Sequence, residues 1–348
     1  MSISDQITRL QNAKAAIKQS IENKGVTVGE DVKLDKYADY IDSIEIGSGD
    51  SGGGSGDSEY TWPDFYELRT RQLSASKGPN IFALFAQMYV KESEARYKNL
   101  IENLDTTGAT DISYMFYNFN YGISDTIKEL DLTGYDISKV SNFTYMFNYC
   151  KLDYLNISGW DFSSYSSGVN HRMFNRSLIK EINMSNCNFS NVKDLYVFAG
   201  SSTELVTINM TGCDTSKVTR VQSMFSDCNK LTTIIGEIDA SSLSNGFYGD
   251  TSNNPFDACY ALETVYIKNI YKNVTTMNNN AKWGICLKET VVKDECLVYI
   301  INELPDLYDK GLTATDKIVL TLPPTNTLTQ EQVQVAIDKG WQVANTTY

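Results

Sequence analysis

The side chains that most often carry proton and metal chemistry are scarce in this chain. Among 348 residues there is one histidine, His171. A Ser-His-Asp or Cys-His arrangement would have to use that residue, and a site with several histidine ligands is excluded. The sequence also contains no GxxxxGK[ST], CxxC or HExxH pattern, so it lacks these signatures of nucleotide, redox and zinc sites. We therefore predict no catalytic residue, no cofactor and no metal ligand.

Aspartates recur at one turn position instead of forming one isolated pair. Asp136, Asp161, Asp214 and Asp239 occupy equivalent places, as in TGYDIS, SGWDFS and TGCDTS. Glycoside hydrolysis needs two carboxylates about 5–10 Å apart, so a polysaccharide depolymerase is the enzymatic alternative. A residue repeated in every copy of a turn is more simply a turn former that accepts local backbone hydrogen bonds. We therefore expect that the protein is not an enzyme.

The cysteines follow the same period as the rest of the sequence. Cys150, Cys228 and Cys259 each stand three residues after the Phe of a Met-Phe or Pro-Phe pair. Cys187 and Cys213 share a turn position that Tyr and Trp occupy in other copies. A disulfide framework would not track a repeat, and seven is an odd count. The pattern predicts buried thiols that pack in the core.

A repeated segment links these observations. Met-Phe pairs begin at Met115, Met146, Met173 and Met224, and degenerate copies stand at Phe198-Ala199 and Pro255-Phe256. A Leu-x-x-Leu or related signature follows each pair, beginning at Ile127, Leu152, Ile179, Leu205, Leu231 and Leu262. These starts are 25, 27, 26, 26 and 31 residues apart. We call one such period a unit and count about seven or eight units between residues 61 and 290, including a poor copy around Leu84-Phe85.

A period of this length with one short strand per unit is typical of a solenoid. One unit cannot bury its Leu, Met and Phe side chains alone, but neighbouring units that stack bury them in one continuous core. We therefore predict an α/β repeat solenoid of the leucine-rich-repeat type over residues 59–290. The insertion-like stretches near Lys91–Leu100 and Asn245–Asn254 are expected to be loops.

Three further segments complete the predicted organisation. Residues 1–46 show helical periodicity and are predicted to be a helical anchor, residues 47–58 are a Gly/Ser linker, and residues 291–348 are an α/β cap. In the cap, Thr329 and Gln332 form a capping-box pattern and Gly340 marks the helix end. The apolar residues predicted to attach the anchor to a larger partner are Ile3, Ile7, Leu10, Ile17, Ile21, Leu34, Tyr37 and Ile41.

The middle residue of each short strand is predicted to point outward, because side chains alternate along a strand. These positions form a candidate ligand-contact set: Asp131, Asn156, Asn183, Asn209 and Tyr266. An Asn row with a nearby aromatic ring suits glycan recognition through amide hydrogen bonds and ring stacking. The alternative is that these amides solvate the sheet or pair across units.

Charge and hydropathy narrow the expected partners. The 30 basic and 43 acidic residues give a formal net charge of −13, which argues against nucleic acid and anionic membranes. No apolar run approaches the ~18–20 residues needed to span a bilayer, and MSISDQITRL lacks the features of a secretion signal. The expectation is assembly in the cytoplasm of a host cell.

The repeat LDLTGYDISKVSNFTYMFNYCKLDYL resembles the BspA-like leucine-rich repeats of bacterial surface proteins and mobile elements. The stretch LQNAKAAIKQSIENKGVTVGEDVKLDKYADYIDSI resembles a module at the start of phage tail and fibre proteins, and the C-terminal stretch from LPDLYDKG to WQVA is similar to endings of such proteins. Together these resemblances imply an adhesin-like phage virion protein, a fibre or receptor-binding component that binds a host glycan or protein. The alternatives are head, neck or tail decoration and a bacterial surface adhesin. Residues 1–46 would bind other virion proteins, and a homo-oligomer is compatible with this layout.

Overall fold

The protein is described here from a computed structural model. It describes Lys18 and residues 83–345, with gaps at 93–94, 166–171, 245–253, 276, 278–282, 314–315 and 317. The chain separates into two compact units, Met1–Thr61 and Trp62–Tyr348. Several predicted features lie outside the described residues. They are the attachment residues and all of the anchor except Lys18, the linker, His171, and the loop near Asn245–Asn254 except Asn254 itself.

A six-stranded parallel sheet organises the repeats, with the strands in chain order. The strands are β1 (Glu129–Asp131), β2 (Tyr154–Asn156), β3 (Glu181–Asn183), β4 (Thr207–Asn209), β5 (Thr233–Asp239) and β6 (Thr264–Lys268). In β1 to β4 the middle of the three residues is buried and pairs with its equivalent, from Leu130 through Leu155 and Ile182 to Ile208. The predicted repeat solenoid is confirmed as a parallel β-solenoid of about seven turns with few helices.

The burial pattern corrects one step of the prediction. The buried residues of β1 are Leu130 within the strand and Leu132 just after it, as predicted, whereas Asp131 between them is exposed. Both end residues of each three-residue strand therefore face outward, and the predicted contact residue is the last residue of the strand and not its middle one. The period-two rule held, and only the strand boundaries moved by one residue.

The Met-Phe pairs form the second wall of the core. Phe116, Phe147 and Phe174 are fully buried and stack in register, with ring centroids 5.2 Å apart in both neighbouring pairs. Backbone bonds join one Met-Phe turn to the next, such as Phe116 N–H to the Met146 carbonyl at 2.8 Å. Each unit therefore depends on its neighbour for both apolar contact and hydrogen bonding.

All seven cysteines lie in the described part of the chain, and all are buried free thiols. Burial raises the pKa of the Cys228 thiol to about 12, and it also raises the pKa of Cys150 and Cys259. The Cys228 thiol donates to the Ala199 carbonyl of the preceding unit, 3.2 Å away. The predicted role of these thiols in core packing is confirmed.

The turn that follows each strand repeats one hydrogen bond with different donors. Trp160 Nε1 donates to the Leu132 carbonyl at 2.8 Å. At the same position in the next units, the Cys187 thiol donates to Ile157 and the Cys213 thiol donates to the Met184 carbonyl. An indole and a thiol each satisfy the equivalent carbonyl of the preceding unit, which explains why both residue types occur at this position.

The stretch Lys91–Leu100 is not the loop that the sequence predicted. It contains most of helix α1, Ala95–Glu102, whose Tyr97 and Ile101 side chains are buried. The Glu102 carboxylate accepts from the Asp131 N–H at 2.8 Å, on the outer strand of the sheet. The short helix therefore satisfies part of an edge that would otherwise expose unpaired backbone groups.

The C-terminal segment contains a three-stranded parallel sheet and two helices. Its elements are β7 (Ile285–Cys286), α2 (Asp294–Glu303), β8 (Val319–Thr321), α3 (Gln330–Asp338) and β9 (Gln342–Ala344). Helix α3 begins with the capping box that Thr329 and Gln332 predict, and Gly340 follows it at φ +85°. The Val291 and Lys293 N–H groups donate to the last unit at Leu262 and Glu263.

No helix among the described residues has both the length and the apolar character needed to cross a membrane.

The stacked Phe residues provide a direct test of the core. Phe147→Ala removes a fully buried ring between two others and should lower the free energy of unfolding by roughly 3–5 kcal/mol. Phe225→Ala should behave in the same way, because Phe225 is also fully buried. Denaturant unfolding measures both, with Tyr260→Ala at a 59% exposed position as the control. A near-neutral Phe147 variant would show that the Met-Phe row is not the core.

Candidate functional site

The structure brings four of the five predicted contact residues into one row on the outer face of the sheet. Asp131 pairs with Asn156, Asn156 with Asn183, and Asn183 with Asn209 in the parallel register. Asn156 Nδ2 donates to Asp131 Oδ2, and Asn183 Nδ2 donates to Asn156 Oδ1, both at 3.1 Å. Side-chain hydrogen bonds therefore form a ladder from Asp131 to Asn183, and Asn209 continues the row in the backbone register.

The same side chains also shape the turns that follow the strands. Asn183 Oδ1 accepts from the Ser185 N–H at 3.1 Å, and Asn209 Oδ1 accepts from the Thr211 N–H at 3.0 Å. An Asn that bonds to the backbone two residues later stabilises a local turn. This is the arrangement expected if the amides pair across units, and a ligand-contact role for the row stays a prediction.

Tyr266 lies apart from this row. On β5, Ile235 stands opposite Asn209, whereas Tyr266 stands opposite Glu237 because the register shifts within β5. Gly236 sits in this irregularity at φ +98°, and a Cβ there would lie 2.8 Å from the Thr211 nitrogen. The Tyr266 ring packs edge-on against Tyr299 of α2, with centroids 5.2 Å apart.

The recurring turn aspartates behave as turn formers. Asp136 Oδ1 accepts from the Ser138 N–H and hydroxyl, and Asp161 and Asp214 accept from the N–H two residues later. Hydrogen bonds from the Ser138 side chain and backbone lower the pKa of Asp136. The pKa of Asp214 is lowered in the same way by Ser216.

One shallow cleft of about 310 Å³ places carboxylates near each other, at the irregular strand β5. Asp214, Glu237 and Asp239 line it together with Lys268. Glu237 accepts from Lys268 Nζ at 2.8 Å and from the Tyr299 hydroxyl. These two bonds lower the pKa of Glu237, so Glu237 is held ionised and does not suit the role of a general acid.

A larger groove of about 600 Å³ lies on the other side of the units, over the Met-Phe turns. We call it the tyrosine–arginine groove. Its lining residues are Tyr114, Tyr117, Tyr145, Asn148, Tyr149, Arg172, Asn175, Arg176, Val197 and Ser201. They come from four consecutive units, and the sequence-based interpretation missed the groove entirely.

Two positions of each unit supply most of the lining, and both have left-handed backbone. One is the residue before the Met-Phe pair, as in Tyr145 at φ 53°, and the other comes four residues later, as in Tyr149 at φ 55°. The next unit has Arg172 and Arg176 at these positions, at φ 39° and 57°. Left-handed backbone is uncommon for large side chains, so the turn geometry is what turns these residues outward.

Buried amides hold neighbouring turns together along the groove. Asn148 Nδ2 donates to the Asn175 carbonyl, and Asn175 Nδ2 donates to the Gly200 carbonyl at 2.6 Å. Both asparagines are buried. Gly200 continues the series, where a Cβ would lie 3.0 Å from the Ser223 carbonyl. The base of the groove is therefore fixed by hydrogen bonds from unit to unit.

The tyrosine rings contact each other in a continuous patch. Tyr114 lies 5.6 Å from Tyr117 and 5.4 Å from Tyr145, measured between ring centroids. Tyr149 lies 5.4 Å from the half-exposed Tyr121. Rings arranged in this way present both apolar faces and polar hydroxyl groups, which suits a surface that contacts a partly polar ligand.

Each arginine of the groove bonds to the tyrosine that precedes it in the row. Arg172 Nη1 lies 3.2 Å from the Tyr145 hydroxyl, and Arg176 Nη1 lies 3.0 Å from the Tyr149 hydroxyl. Arg172 also lies over the ring of Tyr196 at 5.9 Å, and Arg220 covers that ring at 3.9 Å. The guanidinium groups are therefore held by ring and hydroxyl contacts.

Val197 is the most unusual residue of the groove. Its φ is 52°, a conformation that is a genuine outlier for a β-branched side chain. Such strain is retained where the surrounding structure imposes it and clusters at functional sites. Here the neighbouring turns impose it, because the Val197 N–H donates to the Gln222 carbonyl and the Ala199 N–H donates to Met224.

The opposite end of the same turn surface is acidic. Asp227 occupies the position that Arg176 holds two units earlier, and it is followed by Asp257 and Glu289. Burial and the charge of Glu289 raise the pKa of Asp257 to about 6. The Ala258 N–H donates a hydrogen bond to Glu289 Oε2 at 2.9 Å, and this bond lowers the pKa of Glu289.

The repeat alignment contained a signal for the groove. The residue before Met-Phe is Tyr, Tyr and Arg at positions 114, 145 and 172, but it is Ser at 223. A change from small to aromatic or cationic side chains at one repeat position, over neighbouring units only, indicates a local surface. The Asn residues of the strand face repeat more regularly, so the repeat pattern alone favours that face as the contact surface.

The Asn ladder predicts a stability effect. Asn183→Ala removes a bond to Asn156 and a bond from the Ser185 N–H and should lower the free energy of unfolding by about 1–2 kcal/mol. Urea unfolding measures the change, with exposed Asn229→Ala as the control. An unchanged Asn183 variant would show that the ladder does not stabilise the sheet.

The acidic end predicts a pH dependence. The pKa of Asp257 is raised in the folded state. Ionisation of this carboxyl therefore lowers the free energy of unfolding as pH rises from about 4 through 6, and the loss persists above pH 6. Asp257→Asn should therefore raise the unfolding midpoint at pH 7–8 by about 1–3 °C, a value reduced for partial solvent exposure. The two proteins should converge near pH 4. Exposed Asp309→Asn is the control, and a constant difference across this pH range would contradict the assignment.

Comparison with known proteins identifies a family model that matches the repeats. No curated protein and no solved structure matches the chain. One family model, described as "Mycoplasma protein of unknown function, DUF285", matches residues 83–177, 167–260 and 196–285. These overlapping matches span more than half of the chain and include the groove and all strands from β1 to β6. The chain therefore belongs to the DUF285 family.

Proposed function

We propose that this protein is a non-catalytic binding component of a phage virion, a fibre or receptor-binding protein that presents its solenoid to a host glycan or protein. The observation that carries the proposal is the tyrosine–arginine groove. It is the place where aromatic rings, guanidinium groups and a rigid backbone coincide.

The composition of the groove suits contact with a large ligand. Tyr and Arg are the residue types enriched where binding energy concentrates, because each offers a wide contact area together with hydrogen-bonding groups. Tyr145 and Tyr149 are partly exposed, and both line the groove. Rings of this kind stack on the apolar face of a sugar while their hydroxyl groups reach its polar edge.

The scaffold beneath the groove supports binding without a large loss of conformational entropy. Backbone bonds join successive turns, as from Tyr114 N–H to Thr144 and from Arg176 N–H to Gly200, both at 2.9 Å. A surface already held in its bound geometry loses less freedom on association. A ligand therefore meets side chains that need little rearrangement.

The remaining segments take their roles in this proposal from the sequence. Residues 1–46 attach the protein to the particle, residues 47–58 form a hinge and residues 291–348 cap the solenoid. The cap is supported by the contacts of Val291 and Lys293 with the last unit and by the Tyr266–Tyr299 ring contact. The virion location rests on the resemblance of the N-terminal stretch to phage tail and fibre modules.

Removal of the groove tyrosines tests the proposal. Tyr145→Asn with Tyr149→Asn deletes both rings but keeps residues that tolerate left-handed backbone, as Asn118 does at an equivalent position. The full-length double variant should bind intact host bacteria at least about tenfold more weakly, a loss of about 1.4 kcal/mol or more. Binding is measured as saturable retention that excess unlabelled protein displaces.

The matched control removes an equally polar ring elsewhere. Tyr260→Asn changes an exposed tyrosine outside the groove and should leave binding unchanged. If the groove variant binds as well as the parent protein, the groove is not the contact surface. If neither the parent nor the variants bind cells while the protein still joins particles, the solenoid is a decoration that faces other virion subunits.

A further inference from the structure

We propose that the tyrosine–arginine groove selects an acidic saccharide, a chain of sugars that carry carboxylate groups. This inference rests on the proposed binding function and adds the chemical class of the ligand. It depends on the charge of the groove, the geometry of its arginines, its length and the acidic surface beyond it.

The charge of the groove is opposite to that of the whole chain. The protein has a formal net charge of −13, yet the described residues that line the groove include two arginines and no Asp or Glu. A negatively charged protein repels anions at long range, so a local cationic site is needed for an anionic ligand to bind. A neutral ligand would not require the two guanidinium groups.

The arginines carry donors that suit carboxylates. Arg172 and Arg176 stand at the two ends of one turn, four residues apart, and Nη1 of each lies within hydrogen-bond distance of a tyrosine hydroxyl. A guanidinium has five N–H donors in a planar fork that matches a carboxylate. The hydroxyl contacts therefore hold the forks in place while the exposed Arg176 side chain faces solvent.

The groove has the shape for a linear polymer. Its lining residues come from four consecutive units, and neighbouring strands of a sheet are about 4.7–4.9 Å apart, which gives a length of roughly 15 Å. Several consecutive sugars fit this length. The contacting rings of Tyr114, Tyr117 and Tyr145 give flat apolar surfaces for the sugar faces, a feature that an acidic peptide or a free phosphate does not need.

The acidic end limits where such a polymer can lie. In the row that contains Arg176, the next two positions are Ser201 and Asp227, and Asp257 and Glu289 follow beyond. Like charges repel an anionic chain in that direction. The ligand is therefore expected to occupy the units from Tyr114 to Val197 and to stop before Asp227.

Binding of defined acidic oligomers to the full-length protein tests the inference. The probes are an oligogalacturonate, an oligosialate, the methyl ester of the oligogalacturonate and polyglutamate, measured by calorimetry at low salt and again at high salt. At least one carboxylated oligosaccharide should bind, and its affinity should fall at least about tenfold at high salt, because salt screens exposed charge pairs. The methyl ester, in which the carboxylate charge is removed, should bind the parent protein at least about tenfold more weakly than the free acid.

Charge-removing variants identify the site. Arg172→Gln with Arg176→Gln should lose at least about tenfold in affinity for the acidic oligosaccharide, and Arg172→Lys with Arg176→Lys should retain part of it. Lys180→Gln with Lys230→Gln removes the same net charge from two exposed ion pairs elsewhere and should have little effect. Equal losses in both double variants would show attraction to the whole surface and would overturn the proposal.

The remaining outcomes separate this inference from the proposed function. Equal affinity for the ester and the acid, or no binding of either carboxylated oligosaccharide, overturns the acidic-saccharide assignment. Polyglutamate that binds as tightly as the sugars would make an acidic peptide the ligand. If the tyrosine variants lose host cells and the arginine variants do not, receptor binding at the groove stands and its preference for acidic sugars fails.

Discussion

The fold depends on one constraint, which is that core and turn positions of a unit contact the equivalent positions of the next unit. Phe116 stacks on Phe147 and Phe147 on Phe174, while Asn183 bonds to Asn156. The backbone follows the same rule, since each Met-Phe turn donates to the next. A single unit leaves these groups without partners, and only stacking satisfies them. The sheet, the turns and the groove are all consequences of this register.

The same register explains which features the sequence could predict. Side chains that must meet their equivalents repeat, so the Met-Phe pairs, the short strands, the buried thiols and the turn aspartates could all be inferred from spacing. A hydrogen bond that several residue types can donate is harder to recognise, because the residue type changes from unit to unit. The spacing placed Trp160 and Cys187 at one turn position although their side chains differ, but the hydrogen bond that they share emerged only with the carbonyls that they contact.

Three features were missed by the sequence-based interpretation, each for a physical reason. Helix α1 was predicted as a loop, because its stretch does not match the repeat; its eight residues are too few for a stable isolated helix, and its stability comes from contact with the edge of the sheet. Tyr266 fell outside the Asn row because the register shift in β5 depends on the approach of Gly236 to the neighbouring backbone. The groove was missed because its side chains point outward through left-handed backbone, which no periodicity of two or 3.6 residues reveals.

The irregularity in β5 has a consequence for how the protein can change. From Thr233 to Glu237 the strand advances four residues, while its partner β6 advances two. The Met-Phe turns nevertheless stay in register, because the Phe225 N–H donates to Pro255 and the Asp227 N–H donates to Asp257. An insertion on the strand side is thus absorbed before it reaches the opposite side. The two surfaces can therefore diversify independently, so that a residue can be inserted on one of them while the unit-to-unit contacts of the other stay unchanged.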